Sequence, residues 1–329
     1  MKKLINQVDD LLSESLDGFA IAHADLVSLG EERLFVRRRA PKPGKVALIS
    51  GGGSGHEPLH AGFVGHGMLD AACPGQVFTS PTPDQMLAAA EAVETGAGVL
   101  FIVKNYSGDM MNFQMAAEML ERDNATVIVN DDVAVENSTY TTGRRGVAGT
   151  LIVEKIVGAA AERGDDLAAC KALGDAVNQA TASMGVALTS CTVPAAGTPT
   201  FQIGPDEMEM GVGIHGEPGR RRVKLASADD IAAEMVGAIL KDLALPRGRE
   251  VLLLVNGFGG TPALELYLMV QASMKVLNGA GVRVVRHLTG SYVTSLEMAG
   301  CSITVSALDG DQLALWDAPV HTAALRWKM

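Results

Sequence analysis

The chain is short of aromatic residues, of cysteine, of positive charge and of long apolar runs, and each shortage removes a class of function. Its 329 residues carry 27 Lys and Arg against 38 Asp and Glu, a net charge of −11. No basic face is available to meet phosphates, so neither nucleic acid nor an anionic membrane is expected as a partner. No stretch approaches the roughly 18 apolar residues of a membrane helix. The N-terminus runs into Asp9 and Asp10 without the apolar core of a signal peptide, so a cytoplasmic location is expected. Cys73, Cys170, Cys191 and Cys301 are scattered, with no CxxC pair, and read as reduced, mostly buried thiols. The histidines are not at metal-ligand spacing. There is no Walker A loop, and no GxGxxG opens a dinucleotide-binding helix.

What is present is an alternation of buried strands, polar loops and helices. A length of 329 residues suits two domains or one large one. Leu4, Val8, Leu11, Leu12 and Leu16 recur at helical spacing, which predicts a helix over 2–17. Strands are predicted near 34–36 and over 45–50, the second running into a glycine loop at Gly51–Gly55. Thr82-Pro83-Asp84-Gln85 is a helix start with a capping box. The apolar runs Val99–Lys104 and Thr126–Val129 read as strands buried on both faces. Helices are predicted over 146–163 and 166–184. A second unit is expected from Gly185, with a helix over 228–243, a strand at 251–255 and further strands near 283–286 and 302–306. The expectation is therefore an α/β protein of two domains, 1–184 and 185–329. Each has a central, mostly parallel or mixed sheet flanked by helices. In such sheets ligands gather at the carboxyl ends of the strands. Here those ends carry His56, then Lys104 and Asp109, then Asp131 and Asp132.

Two glycine-rich segments each hold a His and a Glu-Pro: Gly51-Gly52-Gly53-Ser54-Gly55-His56-Glu57-Pro58 and Gly211-Val212-Gly213-Ile214-His215-Gly216-Glu217-Pro218-Gly219. Either could be a plain turn with a surface histidine. Together they read as one site assembled from two parts of the chain. The first segment suits backbone amides approaching a small ligand, or a structural turn. Lys104 and Asp109 form either a strand-end ion pair or a general base tuned by a lysine. His215 could serve as a general base, with Glu217 as its orienter, or as a neutral nucleophile toward a carbonyl. Arg37–Arg39 and Arg220–Arg222 read as solvated basic runs.

These segments, with Ala72-Cys73-Pro74-Gly75, Phe78-Thr79-Ser80-Pro81-Thr82-Pro83-Asp84, Lys104-Asn105-Tyr106-Ser107-Gly108-Asp109, Asp131–Val135, Gly143–Ala148, Cys191–Gly197 and Leu315–Thr322, resemble the substrate-binding K subunit of dihydroxyacetone kinase. The resemblance runs from the first helix to the last residues. It implies a homodimer of two-domain chains that bind dihydroxyacetone covalently, as a hemiaminal on a histidine falling at His215. It further implies that Asp109 takes the proton of the substrate hydroxyl and that His56 hydrogen-bonds the substrate and assists. Gly53 and Lys104 fall on the remaining substrate contacts. No cofactor is then expected on this chain. The nucleotide, ADP or ATP with Mg, would sit on an L-type partner, recharged in one branch by an M-type phosphoprotein of a phosphotransferase system. A ketone-binding sensor or transcriptional co-activator, or a kinase subunit for another short ketose such as erythrulose, are the alternatives. Replacing Gly53 with a larger residue is expected to block the site with little effect on folding.

Overall fold

The computed structural model describes residues 2–135 and 143–329. The first part of the chain runs α1 (Leu11–Ala22), β1 (Val27–Leu29), β2 (Val36–Arg38), β3 (Ala47–Ser54), β4 (Gly65–His66), β5 (Ala71–Val77), α2 (Pro83–Val93), β6 (Val99–Lys104), α3 (Ser107–Met119), β7 (Asn124–Val129), α4 (Gly149–Arg163) and α5 (Leu167–Gln179). The second runs β8 (Thr181–Ala187), β9 (Glu207–Met210), β10 (Arg221–Lys224), α6 (Ala228–Leu243), β11 (Glu250–Gly257), α7 (Ala263–Gly279), β12 (Arg283–Gly290), β13 (Gly300–Ser306), α8 (Gly310–Trp316), β14 (Val320–Thr322) and β15 (Arg326–Trp327).

Two six-stranded sheets carry the α/β architecture, in the orders β1-β2-β5-β3-β6-β7 and β10-β9-β8-β13-β11-β12. In the first, β5, β3, β6 and β7 are parallel. The chain leaves β3 for β5 on one side and later returns to β6 on the other, so a crevice opens at the carboxyl end of β3. The second sheet is mixed: β13 runs antiparallel to both of its neighbours, and β11 pairs in parallel with β12.

The halves are closely joined. β14 pairs with β4, so the end of the chain returns to the first half. One apolar cluster runs from Leu48, Leu100 and Ile152 through to Val212, Leu254 and Phe258. Lys155, on α4, is fully buried, donates to the Leu315 carbonyl at 2.8 Å and lies 5.5 Å from the centre of the Trp327 ring.

Several expectations shift. The first helix starts at Leu11, not residue 2, because Leu4 and Val8 are exposed and have no core to pack on. The helix expected over 166–184 stops at Gln179. Thr181–Ala187 pairs with β13 as a strand buried along its whole length, so residue 184 lies inside β8. The glycine loop begins later than expected, since Gly51–Ser54 continue β3 and pair with β5. Asp109 lies not on a loop but in the first turn of α3. Arg38 is buried rather than solvated, bonding Asp70 at 3.2 Å and Glu162 at 2.6 Å. The capping box of α2 is present, α6 spans 228–243 as expected, and all four cysteines are free and buried. Among the described residues no helix is long and apolar enough to cross a membrane.

Candidate functional site

β3 delivers the site by being made of glycine where it meets its neighbours. A Cβ on Gly52 would lie 2.2 Å from the Lys104 ammonium, so only glycine leaves room for that side chain to cross the strand. Lys104, the last residue of β6, is fully buried. Its Nζ donates to the Gly51 carbonyl at 3.0 Å, meets His60 Nε2 at 2.9 Å and sits 3.3 Å from Asp109 Oδ2. The other oxygen of Asp109, Oδ1, is buried without a partner. The ion pair reading and the catalytic reading thus describe the same two side chains.

His56 follows β3 and is completely buried. Its Nδ1 lies 2.8 Å from the Thr294 carbonyl, which can only accept, so the ring carries its proton on Nδ1. Nε2 is then a lone-pair acceptor, and it has no partner. Burial pushes the His56 pKa well below the ordinary imidazole value, aided by His215 and Lys104.

His215 arrives from the second half, on the connection between the antiparallel strands β9 and β10. Its ring centre is 4.7 Å from that of His56, 4.3 Å from Tyr106 and 5.6 Å from Phe78. Burial, with Lys104 and Arg145 adding to it, lowers its pKa to about 3. The ring is therefore neutral near pH 7, as a nitrogen nucleophile must be. Its Nδ1 is buried without a partner.

Glu217 does not orient this imidazole. Its carboxylate accepts the backbone N–H of His215 at 2.9 Å and the guanidinium of Arg145 at 2.9 Å. Arg145 also donates to the Gly211 carbonyl at 2.8 Å and pairs with buried Asp132 at 2.6 Å. It therefore clamps the 211–219 segment from outside. Asp131 serves the fold instead. Its carboxylate accepts the backbone N–H groups of Val147 and Gly149 at 2.8 and 2.7 Å, at the start of α4. These two strand-end aspartates are thus occupied by Arg145 and by the start of α4, not by the imidazole of His215.

The structure brings His56, Lys104, Asp109 and His215 together. Gly53 lies beside them in β3, with Phe78 and Thr79 against its α-carbon. Sequence reasoning missed Phe78, Tyr106, His60, Arg145 and Thr294 as parts of this region. Phe78, Tyr106 and Arg145 lie inside matched motifs, which was a usable signal. Thr294 offered none, because it acts through its backbone. A largely apolar cavity of about 330 Å³ lies between α1 and β3, lined by Leu12, Leu16, Phe19, Gly53, Pro58 and His60 among others. None of Lys104, Asp109 or His215 lines it, so the unpartnered polar atoms of Asp109, His56 and His215 are the better guide to the site. Among the described residues there is no group of three or more His, Cys, Asp or Glu able to hold a metal ion.

The Dak1 domain matches residues 17–324, nearly the whole chain. The chain belongs to the Dak1 family. It is 49% identical, over 99% of its length and 99% of the relative's, to the PEP-dependent dihydroxyacetone kinase, dihydroxyacetone-binding subunit DhaK, of Escherichia coli strain K12. Among solved structures, the dihydroxyacetone kinase of C. freundii in complex with AMP-PNP and Mg2+ superposes with a TM-score of 0.91 at 36% identity, covering 99% of this Dak1 chain and 61% of that one. The dihydroxyacetone kinase operon co-activator Dha-DhaQ superposes with a TM-score of 0.89 at 32% identity, covering 97% and 98%. The family resemblance and the α/β fold read from the sequence both hold.

Proposed function

We propose that this Dak1 chain is the dihydroxyacetone-binding subunit of a dihydroxyacetone kinase, giving dihydroxyacetone phosphate. The observation that carries the reading is a set of four buried, unpartnered polar atoms clustered in the site: His215 Nδ1, His56 Nε2, Asp109 Oδ1 and the Tyr106 hydroxyl. Buried polar groups are normally paired, and a small polyhydroxy ketone offers the missing partners.

A nitrogen of neutral His215 adds to the keto carbon. The carbonyl π electrons move to oxygen, which takes up a proton as the imidazole loses one, and a neutral hemiaminal results. His56 Nε2 accepts a hydrogen bond from a substrate hydroxyl, since its tautomer leaves it no proton to give there. Gly53 contributes close backbone approach. Asp109 Oδ1 accepts the proton of the terminal hydroxyl as that oxygen attacks phosphorus, while Lys104 holds Oδ2. Bond formation at the ketone rejects glycerol, which has no carbonyl. The fixed adduct positions the hydroxyl, and positioning supplies much of phosphoryl-transfer catalysis.

The phosphoryl group comes from a nucleotide with Mg on a separate L-type partner, either bound ADP first recharged by an M-type phosphoprotein of a phosphotransferase system or ATP used directly. The bond to the terminal phosphoryl breaks as the hydroxyl oxygen attacks, and ADP is the leaving group in both cases. The chain works as a homodimer in the cytoplasm. The second reading is a ketone-binding co-activator, which the similarity to Dha-DhaQ favours. A sensor needs the tether but has no use for Asp109 as a base.

Carbon-13 NMR of dihydroxyacetone labelled at the keto carbon tests the tether. The bound signal should move to the region of an sp³ carbon bearing oxygen and nitrogen, and His215→Ala should lose it. A wild type without that signal removes the hemiaminal. Asp109→Asn should keep the adduct and abolish turnover with the partner; an adduct that no nucleotide-bearing partner can phosphorylate would favour the sensor.

A further inference from the structure

Glu154 and Lys155 are adjacent, ionisable and fully buried in the middle of α4. Burying such groups is unfavourable unless each has a partner and a use. Lys155 points toward the chain end. Glu154 points to the back of the candidate site, where it meets His60.

We propose that His60 and Glu154 are positioning residues that hold the Lys104 ammonium, and through it Asp109, in the orientation the phosphoryl-transfer reading requires. The inference rests on that reading for its catalytic consequence, but its geometry stands alone. An ammonium has three protons, and buried Lys104 has three acceptors: the Gly51 carbonyl at 3.0 Å, His60 Nε2 at 2.9 Å and Asp109 Oδ2 at 3.3 Å. For His60 Nε2 to accept, the imidazole proton must sit on Nδ1. Nδ1 lies 2.6 Å from Glu154 Oε1 and 2.9 Å from Ser50 Oγ. Ser50 spends its own proton on the Ile102 carbonyl at 2.7 Å, so its oxygen is free to accept from Nδ1. Both neighbours of Nδ1 therefore favour one tautomer.

Burial, reinforced by Lys104 and His56, keeps His60 well below the ordinary imidazole pKa, so the ring stays a neutral acceptor. Burial raises Glu154 to about 8, with Lys104 opposing. The ionised carboxylate accepts the Nδ1 proton at Oε1; the protonated acid does so when its own proton sits on Oε2, the arrangement that the Lys104 ammonium on Nε2 demands. The chain Glu154–His60–Lys104–Asp109 then fixes Oδ2 of Asp109 and leaves Oδ1 as the atom that faces the substrate. Glu154 and His60 touch no reacting atom themselves.

The test has two readouts. Long-range nitrogen-15 NMR of the full chain should show His60 protonated on Nδ1; an Nε2-protonated ring overturns the proposal whatever the activity. The second readout is kinetic, with the nucleotide-bearing partner, alongside the adduct signal from labelled dihydroxyacetone. His60→Leu should keep the adduct and KM near wild type while kcat falls roughly 10- to 100-fold, the scale of a misplaced catalytic group. His60→Gln, whose amide oxygen can reach Lys104 in place of Nε2, should recover most of that loss. A wild-type kcat in His60→Leu, or equal impairment in both variants with a common fall in melting temperature, overturns it. Should His60→Leu not fold, Glu154→Met takes its place, and an unchanged kcat there is equally fatal. A wild type that forms no adduct sinks the functional reading instead and leaves the tautomer measurement to decide this one.

Discussion

Gly53→Ala is the substitution on which sequence and structure disagree most. Read as a loop glycine near a ligand, Gly53 should tolerate a methyl group with only the site affected. In the structure it is a strand residue, and the added Cβ would lie 2.6 Å from the Thr79 nitrogen and 2.7 Å from the Phe78 Cα. Ordinary contact is about 3.5 Å, so the overlap approaches 1 Å. The obstacle is backbone on both counts, and no rotamer change relieves it. Overpacking of this kind typically costs about 1–3 kcal/mol, and a backbone obstacle belongs at the upper end. For a chain of this size that is a fall in melting temperature of roughly 4 °C. The displaced segment carries Phe78, which stacks on His56 at 5.1 Å and touches His215. Ketone binding should weaken in step. Scanning calorimetry with the labelled-ketone titration measures both. A melting temperature within 1 °C of wild type, with binding lost, would refute this packing argument and restore the loop reading.

Arg145→Met strips buried Asp132 of its partner and releases Glu217. A loss of about 3 kcal/mol by denaturant unfolding, with a weaker adduct signal, is expected; an unchanged midpoint would count against the clamp. Lys155→Met should raise stability. Burial lowers the Lys155 pKa from 10.5 to about 8, so the unfolded chain binds the extra proton between those values and the charge is a burden at pH 7. The gain, on the order of 2 kcal/mol, should shrink as pH rises from 8 toward 10.5. His215 is protonated only below about pH 3 when folded, against 6.5 ordinarily. Stability should therefore fall as pH drops from 6.5 toward 3, less steeply in His215→Gln by up to about 1.4 kcal/mol per pH unit, while adduct occupancy stays flat from pH 8 to 5.

The strands and helices that position the site were readable because their residues obey a simple local rule. Val99–Val103 is apolar throughout and the strand it forms lies buried on both faces, and the cap and proline of α2 begin a helix wherever they stand. His56, Lys104, Asp109 and His215 were readable as residue types out of place: polar groups at strand ends or among glycines. What stayed hidden depends on a partner distant in sequence. Leu4 and Val8 repeat at helical spacing, but periodicity does not say whether a core exists to receive them. Thr181–Met184 belongs to a strand and not to the preceding helix because β13 lies beside it, more than a hundred residues later. Glu217 sits two residues from His215 and looked like its orienter. Its carboxylate turns instead to Arg145, which no local pattern announces.

The two histidines show how the halves depend on each other. His56 belongs to the first half, yet its tautomer is set by the carbonyl of Thr294 from the second. His215 belongs to the second half, yet its segment is held by Arg145 from the first. The ring of His56 and the segment that carries His215 are thus each held by the half they do not come from. A free histidine on a glycine-rich turn would sample many orientations and would be protonated for part of the time near its ordinary pKa. Docking the sheets removes both freedoms at once, because the contacts that fix the rings also bury them. The glycines are what permit this: a Cβ at Gly52 would strike Lys104, and one at Gly213 would strike Glu217 at 1.9 Å. Two segments that each look like a turn in isolation are, on this argument, the two faces of one closely packed seam.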